Sequence, residues 1–289
     1  MGTGCRRAIL FLLFSPLFGT GFAQTETPVK VDKPLKSYSH WYFGAEYGVP
    51  FLFGDFTSFS ADKNYVGSQF GGFAGYQVNS WIGIEASART GYTRMGAKSY
   101  AGDYLMNADG MTYYTNQDFN TWKYKDVFSK VHFTNIGLQM NLNVNNFFGP
   151  NRGNRRWTVL LSPAVYAQHF STELINKADK SPLSGKKTDK WNIGIGGDVS
   201  LRYKISRAFD VQLRTGIIWV NNNKMDGIST LIKSKDHFMT SAGLSLIWKV
   251  GKKKEDNVLY ASRRAADVEI RYIAVSYTHL RAHETDQYL

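Results

Sequence analysis

Between Trp191 and Lys204 every second residue is apolar, and this alternation constrains the fold more than any other feature of the chain. The odd positions are Trp191, Ile193, Ile195, Gly197, Val199, Leu201 and Tyr203, set against Asn192, Gly194, Gly196, Asp198, Ser200, Arg202 and Lys204. Successive side chains leave a strand on opposite sides, so a period of two predicts a β-strand with chemically different faces. The pattern returns at Phe209, Val211, Leu213, Thr215, Ile217 and Trp219. It returns again where Ile136, Leu138, Met140, Leu142 and Val144 oppose Gly137, Gln139, Asn141, Asn143 and Asn145. Applied along the chain it predicts eight strands, at about 40–49, 68–78, 81–95, 131–145, 157–170, 190–204, 208–220 and 237–250. Each has at least the roughly 9–11 residues that a tilted strand needs to cross a bilayer, and no stretch beyond residue 23 offers the roughly 18 apolar residues of a membrane-spanning helix.

The connections alternate in length. Asn79-Ser80, Asn146 to Arg156 and Ile205 to Arg207 are short, whereas those around 50–67, 96–130, 171–189 and 221–236 are longer and more polar. An even strand count with short turns at one end and long loops at the other predicts an eight-stranded antiparallel up-and-down transmembrane β-barrel. A soluble barrel of the same size would keep its apolar residues inside. Here the non-apolar face is dominated by Gly, Asn, Gln and Ser with charges of both signs in mid-strand, which suits a narrow neutralised interior. Aromatics gather towards strand ends, among them Tyr42, Tyr203, Phe209, Trp219 and Trp248, as interfacial girdles require. The apolar parity is therefore expected to face lipid.

The chain ends fix the compartment. Arg6 and Arg7, an apolar run from Ala8 to Phe18, and Gly21-Phe22-Ala23 before Gln24 predict a signal peptide, residues 1–23, cleaved after Ala23. Cys5 lies in that leader, so the mature chain has no cysteine for a disulfide or a multi-cysteine metal site. Export also removes nucleic acid as a partner for the formal charge of +12, from 35 basic and 23 acidic residues. Residues 24–37 read as an N-terminal extension, 38–250 as the barrel, and 251–274 as a periplasmic linker or the start of a truncated further domain. Within that last stretch, Lys252 to Asp256 reads as a solvated linker. Val275 to Thr285 resembles translated sequencing-adaptor DNA, which makes 275–289 a non-native tail.

The opening His40-Trp41-Tyr42-Phe43-Gly44-Ala45-Glu46-Tyr47-Gly48 and the closing Gly243-Leu244-Ser245-Leu246-Ile247-Trp248 carry a family resemblance. From about 38 to 250 the chain resembles the eight-stranded outer-membrane barrels of the OmpA/OmpX type in the porin superfamily, particularly the PorT-like "outer membrane protein β-barrel domain". The resemblance implies insertion by the outer-membrane insertion machinery into a Gram-negative cell envelope, with outer-membrane lipid and lipopolysaccharide as surroundings and a monomeric state. By analogy a peptidoglycan-binding domain could follow the barrel, but no residue of its motif is present. The fold itself hosts anchors, adhesins and a few enzymes, so it specifies architecture more than activity.

Candidate functional residues fall in two sets. Glu46, Glu85, Arg89, Asp198, Arg202, Asp210 and Arg214 share the non-apolar face and are expected to pair inside the barrel, since isolated charges there would be costly. With a three-residue turn at Ile205-Ser206-Arg207, Arg202 would stand opposite Asp210 and Asp198 opposite Arg214. The second set is basic: Lys177, Lys180, Lys186 and Lys187 in one long loop, and Lys98, Lys123, Lys125 and Lys130 among aromatics in another, placed to meet anionic surface. His132, His169 and His237 lie near the loop-side rim but on different faces, which argues against a shared metal or catalytic site. No catalytic residue, cofactor or metal is expected. The reading is a non-enzymatic barrel for envelope integrity or surface contact, with a membrane anchor of a longer protein and a lipid-modifying barrel enzyme as alternatives.

Overall fold

Eight long antiparallel strands close on themselves in sequence order. In this computed structural model, residues 38–54, 56–97, 124–148, 155–183, 188–220, 225–227, 237–252 and 255–261 are described. The leader, the extension to residue 37, most of the 96–130 loop with Lys98 and Lys123, Lys186 and Lys187, and everything from 262 through the adaptor-like tail lie outside them.

The strands are β1 Trp41–Phe53, β2 Ser68–Gln77, β3 Ile82–Ala97, β4 Val127–Asn143, β5 Trp157–Asn176, β6 Thr188–Lys204, β7 Phe209–Val220 and β8 His237–Lys249. β8 returns to β1 along an unbroken ladder from Phe238↔Phe53 to Lys249↔Tyr42, so the sheet has no free long edge. All eight expected strands are present. β4 begins four residues earlier than the alternation predicted and ends at Asn143, where the chain enters a short helix, α1 Val144–Phe148. Asparagine side chains end the strand: Asn143 Oδ1 accepts from the amide of Asn146 at 3.4 Å, and Asn145 Oδ1 from that of Val159 at 2.7 Å.

The short turns are built the same way. Asn79 Oδ1 accepts from the amides of Trp81 and Ile82 at 2.9 and 2.8 Å. Ser206 Oγ accepts from those of Ala208 and Phe209 at 3.2 and 2.9 Å. That second turn corrects the expected register. Ser206 opens the turn and does not occupy its centre, so the hairpin pivots on Arg207 and pairs Lys204 with Asp210, Arg202 with Gln212, Ser200 with Arg214 and Asp198 with Gly216. Neither Arg202–Asp210 nor Asp198–Arg214 is a directly opposed pair.

The faces follow parity, but their chemistry changes along the barrel. On β5 the outward positions are Trp157, Val159, Leu161, Pro163, Val165 and Ala167, then His169, Ser171 and Glu173. The inward positions run the other way, from Thr158, Ser162 and Gln168 to Phe170 and Leu174. β4 repeats this, with Asn143, Asn141, Gln139 and Asn135 buried towards the short turns and Phe133, Val131 and Val127 buried towards the long loops. The apolar exterior on β5 spans residues 157 to 167, matching the roughly 9–11 residues of a membrane crossing. Trp41, Phe43, Trp157, Phe209 and Trp248 lie exposed at its short-turn edge, and Tyr92, Trp191 and Trp219 at the other. Tyr42 departs from expectation: it shares the parity of Glu46 and is buried inside, and its neighbours Trp41 and Phe43 hold the girdle. Gly75, paired with Tyr42 on β2, makes room for it, because a Cβ there would run into the Tyr42 ring.

Candidate functional site

The middle of the barrel holds five of the seven expected charges in one cluster. Arg214 reaches Glu85 at 2.7 Å, Glu46 at 3.4 Å and Asp198 at 3.9 Å. Arg89 reaches Glu46 at 3.1 Å and Asp198 at 3.2 Å. These contacts cross the lumen between β1, β3, β6 and β7, so closure of the barrel brings them together. The remaining oxygen capacity is met by neutral donors. Glu85 accepts from Tyr42 Oη at 2.9 Å, Gln139 at 3.0 Å and Asn141 at 3.1 Å, and Glu46 from Ser245 at 3.3 Å. Three carboxylates meet two guanidiniums here, with neutral donors on Glu85 and Glu46, so the buried charges are paired and not stray.

Arg202 and Asp210 go elsewhere. Arg202 donates to Gln212 at 2.8 Å and lies 4.8 Å above the Tyr42 ring, one layer nearer the short turns. Asp210 pairs with Lys249 and accepts from Tyr260 Oη at 2.7 Å. Sequence reasoning missed both partners. Lys249 was legible, because it shares the inward parity of Ser245 on the last strand.

Tyr260 belongs to a cap. Beyond β8 the chain turns back under the short-turn mouth, where Asp256–Asn257 pairs in parallel with Tyr38–Ser39 and a short helical turn, Val258–Tyr260, follows. Leu259 and Tyr260 are buried against Leu160, Asn143 donates to the Leu259 carbonyl at 3.3 Å, and Lys204 holds Asp256 at 2.5 Å. Asp256, the last residue of the expected solvated linker, is part of this closure. Burial, reinforced by the Asp210 carboxylate, pushes the Tyr260 phenol well above its ordinary range, so it stays a protonated donor.

At the opposite end an apolar cluster occupies the lumen beside a few buried polar groups, among them Thr93, Ser129 and His237. Leu52, Phe56, Val127, Val131, Phe133, Phe170, Val220 and Met239 are buried in one cluster, joined by Met225 from the last long loop. Thr172 Oγ1 donates to the Met225 carbonyl at 2.6 Å, and Asp226 accepts from the amide of Phe56 at 3.1 Å.

Of the basic loop residues, Lys177 binds Asp62 at 2.8 Å, and Lys180 occupies a turn with φ 58, a conformation few non-glycine residues adopt. The three histidines stay apart. His132 lies tilted beside Tyr92 with ring centres 6.1 Å apart, His169 meets Asp189 at 2.5 Å on the outer face, and His237 is buried 3.5 Å from Asp226. Among the described residues no three His, Cys, Asp or Glu side chains converge as metal ligands.

No family model matches the chain, and no curated protein does. Solved structures similar to it include Neisserial surface protein A, at 12% identity and TM-score 0.42, covering 73% of this chain and 97% of that one. The attachment invasion locus protein Ail of Yersinia pestis aligns at 10% identity and TM-score 0.40, over 74% and 100% of the two chains. A major outer membrane protein from Thermus thermophilus aligns at 12% and 0.42, over 72% and 99%. None of these likenesses carries a residue role across.

Proposed function

We propose that this chain is a non-enzymatic outer-membrane barrel whose lumen is shut and whose work is done at its loop-side surface, in envelope integrity or surface contact. One observation carries the reading: buried side chains occupy the lumen at three levels, the cap at the short-turn mouth, the ion network at mid-height and an apolar cluster towards the long loops. Eight strands leave space only for side chains, and here those side chains meet. The short turns then face the periplasm and the long basic loops face outward, where Lys177, Lys180, Lys186 and Lys187 meet the phosphates of lipopolysaccharide.

The test has two arms. Purified protein in planar bilayers is expected to give no stable conductance, and steady single-channel steps would overturn the closed lumen. On intact cells an impermeant amine-reactive biotin reagent is expected to label Lys177 and Lys180 of the 171–189 loop, and added trypsin to spare Arg152 and Arg155 of the 146–156 turn. Cleavage of the turn without labelling of the loop would invert the topology.

A further inference from the structure

Just beyond the loop-side girdle the outer wall carries a cavity of about 410 Å³. Five cationic side chains from four regions of the chain converge on it: Lys63 from the first long loop, Arg94 from β3, Lys130 from β4, and Lys177 and Lys180 from the turn that follows β5. Its floor is aromatic. Tyr65 and Phe128 stack at 6.1 Å, with the Lys63 ammonium 5.1 Å above the first ring and the Arg94 guanidinium 6.0 Å above the second.

Two features show that this is more than a solvated basic surface. Arg94 and Lys130 are directly opposed in the β3–β4 register, on the outward face. Like charges so placed destabilise a strand pair unless an anion sits between them. Among the described residues lining the cavity there is no acid. The carboxylates nearby are Asp62, engaged with Lys177, Glu173, directly opposite Lys130 in the β4–β5 register, Asp179, in the turn between Lys177 and Lys180, and Asp126, whose carbonyl accepts from the Lys177 amide at 2.9 Å. Five cations against four acids leave a positive excess that an external anion would neutralise.

The position of the cavity selects the source of that anion. Arg94 follows the girdle residue Tyr92 by two positions, and Lys130 precedes His132 by two, on the same outward faces. At about 3.3 Å per residue this puts the cations roughly 7 Å along the strand from the girdle, at headgroup depth. We propose that the cavity binds a phosphate monoester on a sugar headgroup of a lipid in the surrounding outer leaflet, with Arg94, Lys130 and Lys177 on the phosphate and the Tyr65–Phe128 floor under the sugar. Asp62 is the internal competitor, holding Lys177 until phosphate displaces it. The proposal rests on the outward orientation of the long loops.

The full chain, refolded in detergent and checked for heat-modifiable migration, is titrated with vesicles of neutral phospholipid containing diphosphoryl lipid A, with vesicles lacking it, and with soluble glucosamine 1-phosphate. Binding to the lipid A vesicles is expected to weaken about tenfold in Arg94→Gln/Lys130→Gln, as two solvent-screened ionic contacts are lost. Asp62→Asn should tighten it about threefold by releasing Lys177, an exposed pair being a weak competitor. Lys252→Gln, at the far end of the barrel, should leave it unchanged. Equal binding by wild type and the double variant, both folded, would overturn the site. Glucosamine 1-phosphate binding as tightly as the vesicles would overturn the lipid source. Periplasmic labelling of Lys180 in cells would overturn the orientation, and that outcome is read independently of the titration.

Discussion

The two halves of the lumen obey one geometry and opposite chemistry. Towards the short turns the inward positions carry Asn143, Asn141, Glu85, Arg214 and Asp198, and the outward ones Leu138, Val165, Leu201 and Leu213. Towards the long loops the inward positions carry Val131, Phe133, Phe170 and Leu174, and the outward ones Lys130, His169, Ser171 and Glu173. Parity does not change between the halves, so the swap reports a change in what surrounds the wall. Lipid outside sends polar groups inward, and water outside sends apolar groups inward. On β4 and β5 the loop half is folded like a soluble barrel, whereas β1 and β8 keep Phe51, Phe53 and Phe238 outward there, and the other half depends on polar groups paired within.

The comparison can be broken most forcefully at Arg214. Arg214→Ala is expected to cost about 3–5 kcal/mol, because it strands the carboxylate of Glu85. Adding Glu85→Gln should recover more of the loss than adding Asp198→Asn, since the contacts are 2.7 and 3.9 Å. Urea unfolding followed by heat-modifiable migration measures both; equal rescue would mean the network is not ordered as described. In the other half Leu52→Ala should cost about 3 kcal/mol through a cavity and show no rescue by any charge change. The outer wall gives a paired test. Val165→Arg should cost about 2–4 kcal/mol and Ser171→Arg about 0–1, and similar costs would erase the boundary between them.

Why some of this was legible in the sequence and some was not follows from distance. The strands were readable because alternation is local. The hairpin register was misjudged by two residues because one hydroxyl, Ser206, set where the turn begins. Pairings across the lumen, such as Arg214 with Glu85, are 129 residues apart and depend on tilt and closure, which no local period encodes. The apolar plug escaped for a different reason. Val131 and Phe133 share the parity of Asn135, and an alternation read on one strand half does not announce that its solvents have exchanged.

Smaller effects sharpen the ends. Tyr260→Phe should cost about 1 kcal/mol, as a hydrogen bond to Asp210 is lost. Because the folded phenol is raised above its ordinary value of 10.0, the wild-type cap should hold below that pH and weaken above it. Protease access to 255–261 as pH rises reads this out, and an unchanged profile in Tyr260→Phe would remove the phenol as the cause. At the loop end, burial works to raise the Asp62 carboxyl, but the hydrogen bonds from Lys177 and Ser60 and the charge of Lys177 bring it down to about 2. Its contact with Lys177 should persist above about pH 4 and be lost as pH falls through about 2. The pair is exposed, so its worth to stability is about 0.5 kcal/mol, read by a double-mutant cycle.

The cap also imposes an order of events. Tyr38–Ser39 precedes the first strand and Asp256–Asn257 follows the last, yet the two lie side by side. Tyr260 meanwhile reaches β7, and Leu259 is held by Asn143 at the end of β4. These contacts can all be made only when the segments flanking β1 and β8 meet at a ring already closed. A barrel that stalls with β1 and β8 apart lacks the complete site for this segment, so its seating is a record, kept outside the wall it reports on, that assembly reached completion.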